Sequence, residues 1–454
     1  MIELMQEQDT YSAVFARMET ETLDGGPEAL LSLRKDAMQH FEELGFPTTK
    51  DEQWLYTNVS AIAKTTFCPA TRPDVAVDAA TLERESFAGC GFHRLVFVNG
   101  FFASELSDTT ELDDKVTVIS LTDALKQQPD TVMAHLAQYA DYKTHAFAAL
   151  NTAFMEDGAF IHVPKGVVVD KPIQLLFITV PNNETSNEPI VVHPRVLIIT
   201  GESSQVTVLE SYVGLGEQVY FTNAVTEIAL GENAVIDHYK VQRESTKAYH
   251  IATMQLNQQR ASNGASHVTS LGGDIVRNNI NVVLDGEGCN CNLSGLYIPR
   301  GKQHVDNHLL VDHAKAHCDS REFFKGILDD DAHAVFTGKI IVRKDAQKTD
   351  GKQTNRNLLL SDSARVDTNP QLEIFANDVK CTHGATIGQL DDDALFYLKT
   401  RGIETEAARS LLIYAFASEI LDEIKIEAVR EQVNNILLDR LPQGDRFRGF
   451  KGLQ

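Results

Sequence analysis

Between about residue 156 and residue 389 the chain repeats one local theme: a small residue in a tight turn, then a run rich in valine, isoleucine and threonine. The turns read "GESSQVTV", "GENAVIDH", "SNGASHVT", "GEGCNCNL", "DDAHAVFT", "SDSARVDT" and "HGATIGQL". Taking Ser204, Ala234, Ala265, Gly288, Ala334, Ala364 and Ala385 as equivalent gives gaps of 30, 31, 23, 46, 30 and 21 residues, and Ala316 divides the longest. A recurrence averaging about 26 residues, each unit one or more strands and a turn, points to successive coils of a solenoid. Small residues suit the corners, where coils bring backbones together, and β-branched runs suit stacked strands. A β-sandwich also spaces short strands regularly. The strict hexapeptide repeat of a left-handed β-helix is absent, and the expectation is a right-handed parallel β-helix.

Helical periodicity brackets this core. In the first zone, 1–155, "PEALLSLRKDAMQHFEELGFP" sets Leu30, Leu33, Ala37, Phe41 and Leu44 on one face, with Gly45 placed to cap and Pro47 to prevent continuation. Asn99–Gly100 in "RLVFVNGFF" signals a hairpin turn, and further helices are expected around "TVMAHLAQYA" and "KTHAFAALNTAF". In the last zone, 390–454, Asp391, Asp392 and Asp393 open a helix that Gly402 stops. A second helix runs from about Glu404 to Glu423 and a third carries Ile426, Val429, Val433, Ile436 and Leu437 on one face. "LPQGDRFRGFKGLQ" reads as a loose tail.

The balance of 41 basic against 64 acidic residues, a formal charge of −23, argues against nucleic acid or an anionic membrane as partner. No apolar run approaches the roughly 18 residues a membrane helix needs. The opening "MIELMQEQDTYS" resembles neither a signal nor a transit peptide, so a cytoplasmic location is expected. In that compartment the six cysteines, at 68, 90, 289, 291, 318 and 381, are expected as thiols. The absence of a CxxC speaks against a self-contained zinc or cluster site.

Chemistry narrows to two places. In "KCTHGATIG", Cys381 and His383 project from one face of a strand, and thiolate and imidazole suit borderline and soft metals. Two donors leave such a metal under-coordinated. The second place is His304, His308, His313, His317 and Cys318, whose spacing invites a zinc reading on a helix. In a strand, however, i and i+4 stand about 13 Å apart, so stacking between coils or hydrogen bonding at turns is expected of them. Cys289 and Cys291 are expected in a turn. There is no P-loop, no G-x-S-x-G elbow and no H-E-x-x-H.

Three stretches carry a resemblance: "GFPTTKDEQWLYTNV", "ALNTAFMEDGAFIHVPKGVVVDKPIQLLF" and "LLLSDSARVDTNPQLEIFANDVKCTHGATIGQLDDDALFYLKTRGI". Together they resemble the SufB/SufD family of iron–sulfur cluster assembly proteins over essentially the whole chain. The resemblance implies a right-handed parallel β-helix between helical domains, here 1–155, 156–389 and 390–454. It implies a SufB-like paralogue and a SufC-like ATPase as partners, and a scaffold role without catalysis. It also implies no stably held cofactor, with iron or a nascent cluster present only in the complex. SufB-like chains carry cysteines where this chain has Leu398 and Ala417, whereas Cys381 to Thr386 match the Cys-x-His-Gly-Ala-Thr of the SufD branch. On that basis His383 and Cys381 are the expected metal-facing pair, shared with SufB, and His313, His317 and Cys318 are weaker candidates. Flavin binding and a homodimer of the isolated chain stand as open alternatives. Two other function classes compete: a carbohydrate-acting β-helix enzyme and a purely structural ATPase adaptor. Against the enzyme stands a single tryptophan, Trp54, outside the solenoid.

Overall fold

A computed structural model describes residues 11–18, 27–72, 77–87, 91–180 and 188–448. The opening residues 1–10, Cys90 and the last residues of the tail, 449–454, lie outside them. Two mainly parallel sheets, of 11 and 10 strands among the described residues, face each other across a packed lumen. Seven coils run from Arg195 to Gly388, and each gives one strand to each sheet. In order, the pairs are Arg195–Thr200 and Gln205–Gly214, Tyr220–Leu230 and Val235–Arg243, Tyr249–Gln258 and Asn263–Ser270, and Ile275–Leu284 and Asn290–Tyr297. His304–His313 and Asp319–Leu328, His333–Val342 and Asp350–Leu359, and Arg365–Ile374 and Lys380–Gly388 complete the stack. The parallel solenoid expected from the sequence is thus present, with helices at both ends.

Registers fix the true repeat. A coil advances by as few as 26 residues, Tyr249 to Ile275, and as many as 32, His333 to Arg365. Ser204 and Ala234 are equivalent, as expected, because Gln205 pairs with Val235. Their column continues through Ser262, Cys289, Cys318 and Thr349, which precede the paired residues Asn263, Asn290, Asp319 and Asp350. Ala364 is a buried corner of the opposite column, directly above Ala332. Ala265, Ala334 and Ala385 instead lie within strands, which corrects the alignment of the turns. A small residue marks close backbone approach in strands as well as at corners, so size alone does not distinguish them.

The N-terminal end of the stack is closed. Gly158–Val163 and Ile173–Thr179 pair beneath the first coil, and Thr117–Ser120 and the hairpin His93–Val98/Phe101–Phe102 extend the two sheets to their end. Asn99 and Gly100 at the hairpin turn both have positive φ, 53° and 86°, as the Asn-Gly signal anticipates. Helix Glu28–Leu44 ends at Gly45 as expected and buries Leu30, Ala37 and Phe41, while Leu44 is exposed. The expected helix in "TVMAHLAQYA" stops at Met133. The next residues turn instead around the fully buried Glu227 carboxylate, which accepts from the backbone N–H groups of Ala137, Tyr139 and Ala140 at 2.8–2.9 Å. Arg195, itself fully buried, donates to Glu227 at 2.5 Å and to Asn151 and Thr152, tying helix Ala146–Phe154 to the first coils.

At the other end the helices turn back along the second sheet. Asp391 caps helix Asp392–Thr400 through the Asp393 and Ala394 N–H groups, and Gly402 stops it at φ 82°. Helices Thr405–Leu421 and Glu427–Arg440 bury Ile413, Ala417, Ile420, Val429, Val433 and Leu437 in one cluster with Leu209, Val241, Leu271, Leu296 and Ile327 of successive coils. Buried Lys325 donates to the Phe416 carbonyl at 2.7 Å and to Glu419 at 2.5 Å, and Arg440 caps the carbonyls of Leu271 and Ile298. The start of the expected loose tail is ordered: Gly444–Phe447 forms a 3₁₀ turn, and the Ser410 hydroxyl donates to the Pro442 carbonyl.

The corner geometry makes a direct prediction. Ala364→Leu should cost about 1–3 kcal/mol, because added methylenes at a filled corner force the coils apart. A denaturant midpoint unchanged by the substitution would remove Ala364 from the packed corner.

Candidate functional site at the open end of the solenoid

Among the described residues, nothing stacks on the last coil. Along Asp350–Leu359 the lumen side is taken by Gly351, Gln353, Asn355 and Asn357, all buried. The parallel register places Cys381 over Gly351 and His383 over Gln353, so both face the lumen direction, on one side of the strand as expected. With no further coil to cover them, Cys381 is half-buried and His383 exposed. Cys381 packs at the edge of the Ile340, Val342, Ala346 and Ala376 cluster. Burial, helped by the Asp350 charge, pushes its thiol up.

Below this pair the lumen is polar. Gln353 donates to Glu322 at 2.6 Å, and burial pushes the Glu322 carboxyl up to about 8. One oxygen of Glu322 has no partner among the described residues. A Cβ on Gly351 would stand in ordinary van der Waals contact, 3.5 Å, with both Cys381 Sγ and Ser320 Oγ. The sequence did not single out Glu322 or Gln353. Only the register, which stacks residues 31 apart, reveals the column. The rim was also missed: Ile374, Phe375 and Ile387 on the last coil are 40%, 63% and 48% exposed.

The second sequence cluster does not assemble. His304 and His308 face outward from their strand, His313 faces the lumen, and His317 and Cys318 sit in the following turn. His304 meets His333 of the next coil at 3.1 Å, the stacking between coils expected of it, and Thr57 of the N-terminal segment at 2.9 Å. His308 lines a cleft of about 490 Å³ beneath Trp54, with Arg277 and Lys339. His313 bonds to Ser320 at 2.9 Å, and His317 lies 3.8 Å from Glu287. Burial lowers His304, His308 and His313 each to about 4. Cys289 lies at a corner as expected, while Cys291 is a lumen residue of the strand Asn290–Tyr297. Among the described residues, no group of three or more His, Cys, Asp or Glu side chains could hold a metal ion, and no helix is long and apolar enough to cross a membrane. Cys68, Cys289, Cys291, Cys318 and Cys381 are free thiols.

The described residues thus form a parallel β-solenoid closed at one end, open at the other and flanked by helices, with a thiol and an imidazole on the open coil. Comparison with known proteins gives this architecture its family. Residues 5–175 match the SufBD protein N-terminal region and residues 182–416 the SufBD core domain of SUF-system FeS cluster assembly. The chain is 38% identical to a SufBD family iron–sulfur cluster assembly protein of Synechocystis, covering 88% of this chain and 89% of that one. It is 34% identical to SufD of Escherichia coli, covering 90% and 93%, and 27% identical to SufD of Bacillus subtilis, covering 90% and 94%. The chain belongs to the SufBD family of iron–sulfur cluster assembly proteins and is a homologue of SufD.

Glu322 sets a pH dependence. Its folded pKa, about 8, lies above its ordinary 4.5, so the folded state holds a proton that the unfolded chain has released between those values. Stability therefore falls as pH rises from about 4.5 to 8. Urea unfolding of Glu322→Gln, which keeps the shape without the proton, should show a shallower fall over that window than the parent. Equal slopes would mean that the carboxyl is ionised in the fold.

Proposed function

We propose that this chain is the SufD-type subunit of a cytoplasmic cluster-assembly complex, joined through its open coil to a SufB-like paralogue and through its C-terminal helices to a SufC-like ATPase. The observation that carries this reading is the uncovered last coil. Strands Arg365–Ile374 and Lys380–Gly388 end the two sheets with edges unpaired among the described residues, and the exposed apolar residues Ile374, Phe375 and Ile387 lie on the same coil as Cys381 and His383. A free edge of this kind is completed by a strand of a partner. The relatives named SufD support the subunit type.

In this reading iron is cargo and not a resident cofactor. The His383 imidazole offers a lone pair at the junction, and Cys381, held under partial burial, adds a thiol. The remaining ligands come from the paralogue, so the chain assembles clusters only in the complex and performs no catalysis alone. His383→Ala should leave folding and pairing intact while lowering cluster yield and bound iron several-fold, and Cys381→Ser should act in the same direction more weakly. Normal cluster yield from the His383→Ala complex would make the pair structural and the chain an adaptor. Failure of that variant to pair would make His383 a packing residue.

The ATPase contact is assigned to helix Asp392–Thr400, which has no buried residue and presents Phe396 and Tyr397 at 67% and 56% exposure. Removing the whole C-terminal region would uncover the apolar face of the second sheet, so point changes are the clean test. Phe396→Asp with Tyr397→Asp should abolish co-purification of the SufC-like ATPase without shifting the melting temperature. Retention of the ATPase at normal stoichiometry would move the contact elsewhere.

A further inference from the structure

The corner column that leads into the second sheet follows a rule wherever its side chain can donate, with one exception. At four coils the corner side chain closes onto the carbonyl three residues back: Ser204 Oγ to Gly201 at 2.8 Å, Ser262 Oγ to Gln259 at 2.6 Å, Cys289 Sγ to Gly286 at 3.1 Å and Thr349 Oγ1 to Ala346 at 2.9 Å. Cys318 departs from this. Its thiol contacts the Gly286 carbonyl of the preceding coil at 3.2 Å, the oxygen also used by Cys289, just as the Cys289 thiol reaches the Gln259 carbonyl of its own preceding coil at 3.1 Å. His317, immediately before it, has φ 59°, a left-handed residue at the turn. Two thiols from successive coils thus converge on one acceptor, at positions in register with each other.

The spacing fits a covalent link. Neighbouring strands lie about 4.8 Å apart, inside the roughly 4.4–6.8 Å that separates the Cα atoms of a disulfide. Both thiols are fully buried, yet each lies next to the surface in the chain: Glu287 and Gly288 before Cys289 are exposed, and so is His317 before Cys318. The Cys318 sulfur and Ser262 Oγ, 3.7 Å away, flank the Cys289 sulfur, and the Cys318 side chain draws the Cys289 thiol down. Cys291, deeper in the lumen, is pushed up by burial and stays a thiol.

We propose that Cys289 and Cys318 are a reversible redox pair, closed to a disulfide by hydrogen peroxide and thereby stapling the fourth coil to the fifth. The Cys289 thiolate attacks one peroxide oxygen, the O–O bond breaks, and the departing hydroxide takes up the proton that Cys289 released, giving a sulfenic acid and water. The Cys318 sulfur then displaces the sulfenic hydroxyl, which leaves with the Cys318 proton as a second water. Two thiols lose two electrons in all, and a dithiol reductant reverses the step.

The test is peroxide treatment of the full-length protein, followed by alkylation, intact mass and non-reducing peptide mapping. The expected result is loss of two hydrogens, a 289–318 cross-linked peptide and an upward shift of the melting midpoint, all reversed by dithiothreitol. Cys318→Ser should stop at a sulfenic acid on Cys289, trapped by dimedone, with no melting shift. Cys291→Ser should behave as the parent. A cross-link to Cys291 or to any other cysteine would overturn the proposal. So would two alkylatable thiols at 289 and 318 after peroxide, or a sulfenic acid in Cys318→Ser located elsewhere.

Discussion

Stacked parallel coils impose one demand on everything around them: each strand must find a neighbour on both edges or be ended by something else. Within the stack the demand is met coil by coil, with registers unbroken over up to ten residue pairs. At the N-terminal end it is met by Thr117–Ser120 and by the hairpin His93–Val98/Phe101–Phe102, whose antiparallel pairings terminate the ladders. Arg195 and Glu227 then lock the closing segment in place. Both are fully buried, and the carboxylate is satisfied by three backbone N–H groups as well as by the guanidinium. Removing one partner of such a pair leaves a buried charge, which costs about 3–5 kcal/mol. At the C-terminal end the demand goes unmet among the described residues, and there Cys381 and His383 lie.

The lumen is not an ordinary apolar core. Glu210, His238, Lys240, Glu244 and His250 are all buried in the early coils. Burial alone would raise the Glu210 carboxyl, but hydrogen bonds from His238, Tyr212 and Thr226 draw it down to about 2. Lys240 reaches Asn278 at 2.8 Å, and His250 lies 2.6 Å from Glu244. Most of these contacts connect different coils or opposite sheets, so each one is satisfied in a single register only. A strand slipped by one residue would strand several charges in the lumen at once.

The sequence made the solenoid legible through its turns and β-branched runs, and the terminal helices through their caps. It located the open-end pair because Cys381 and His383 share a strand face whatever the strand packs against. It left Glu322 and Gln353 unseen, since a column of lumen residues is spaced by whole coils of unequal length, 26 to 32 residues. Ala265, Ala334 and Ala385 were aligned as corners for the same reason: small residues occur wherever backbones approach. "TVMAHLAQYA" reads as helix locally, and only the distant Glu227 carboxylate turns its second half into a loop. His304, His308, His313, His317 and Cys318 are close in sequence, yet alternation of faces along one strand disperses them.

In-register stacking also turns the solenoid into a measuring rod. Each coil adds about 4.8 Å along the axis, so six steps set the open coil about 29 Å beyond the coil that holds Arg195. Inserting or deleting a whole coil would move Cys381 and His383 by one such increment with their facing unchanged. A single-residue change within a strand would reverse their facing with no axial displacement. Length along the axis and orientation around it are therefore independently adjustable quantities, the first counted in coils and the second in residues.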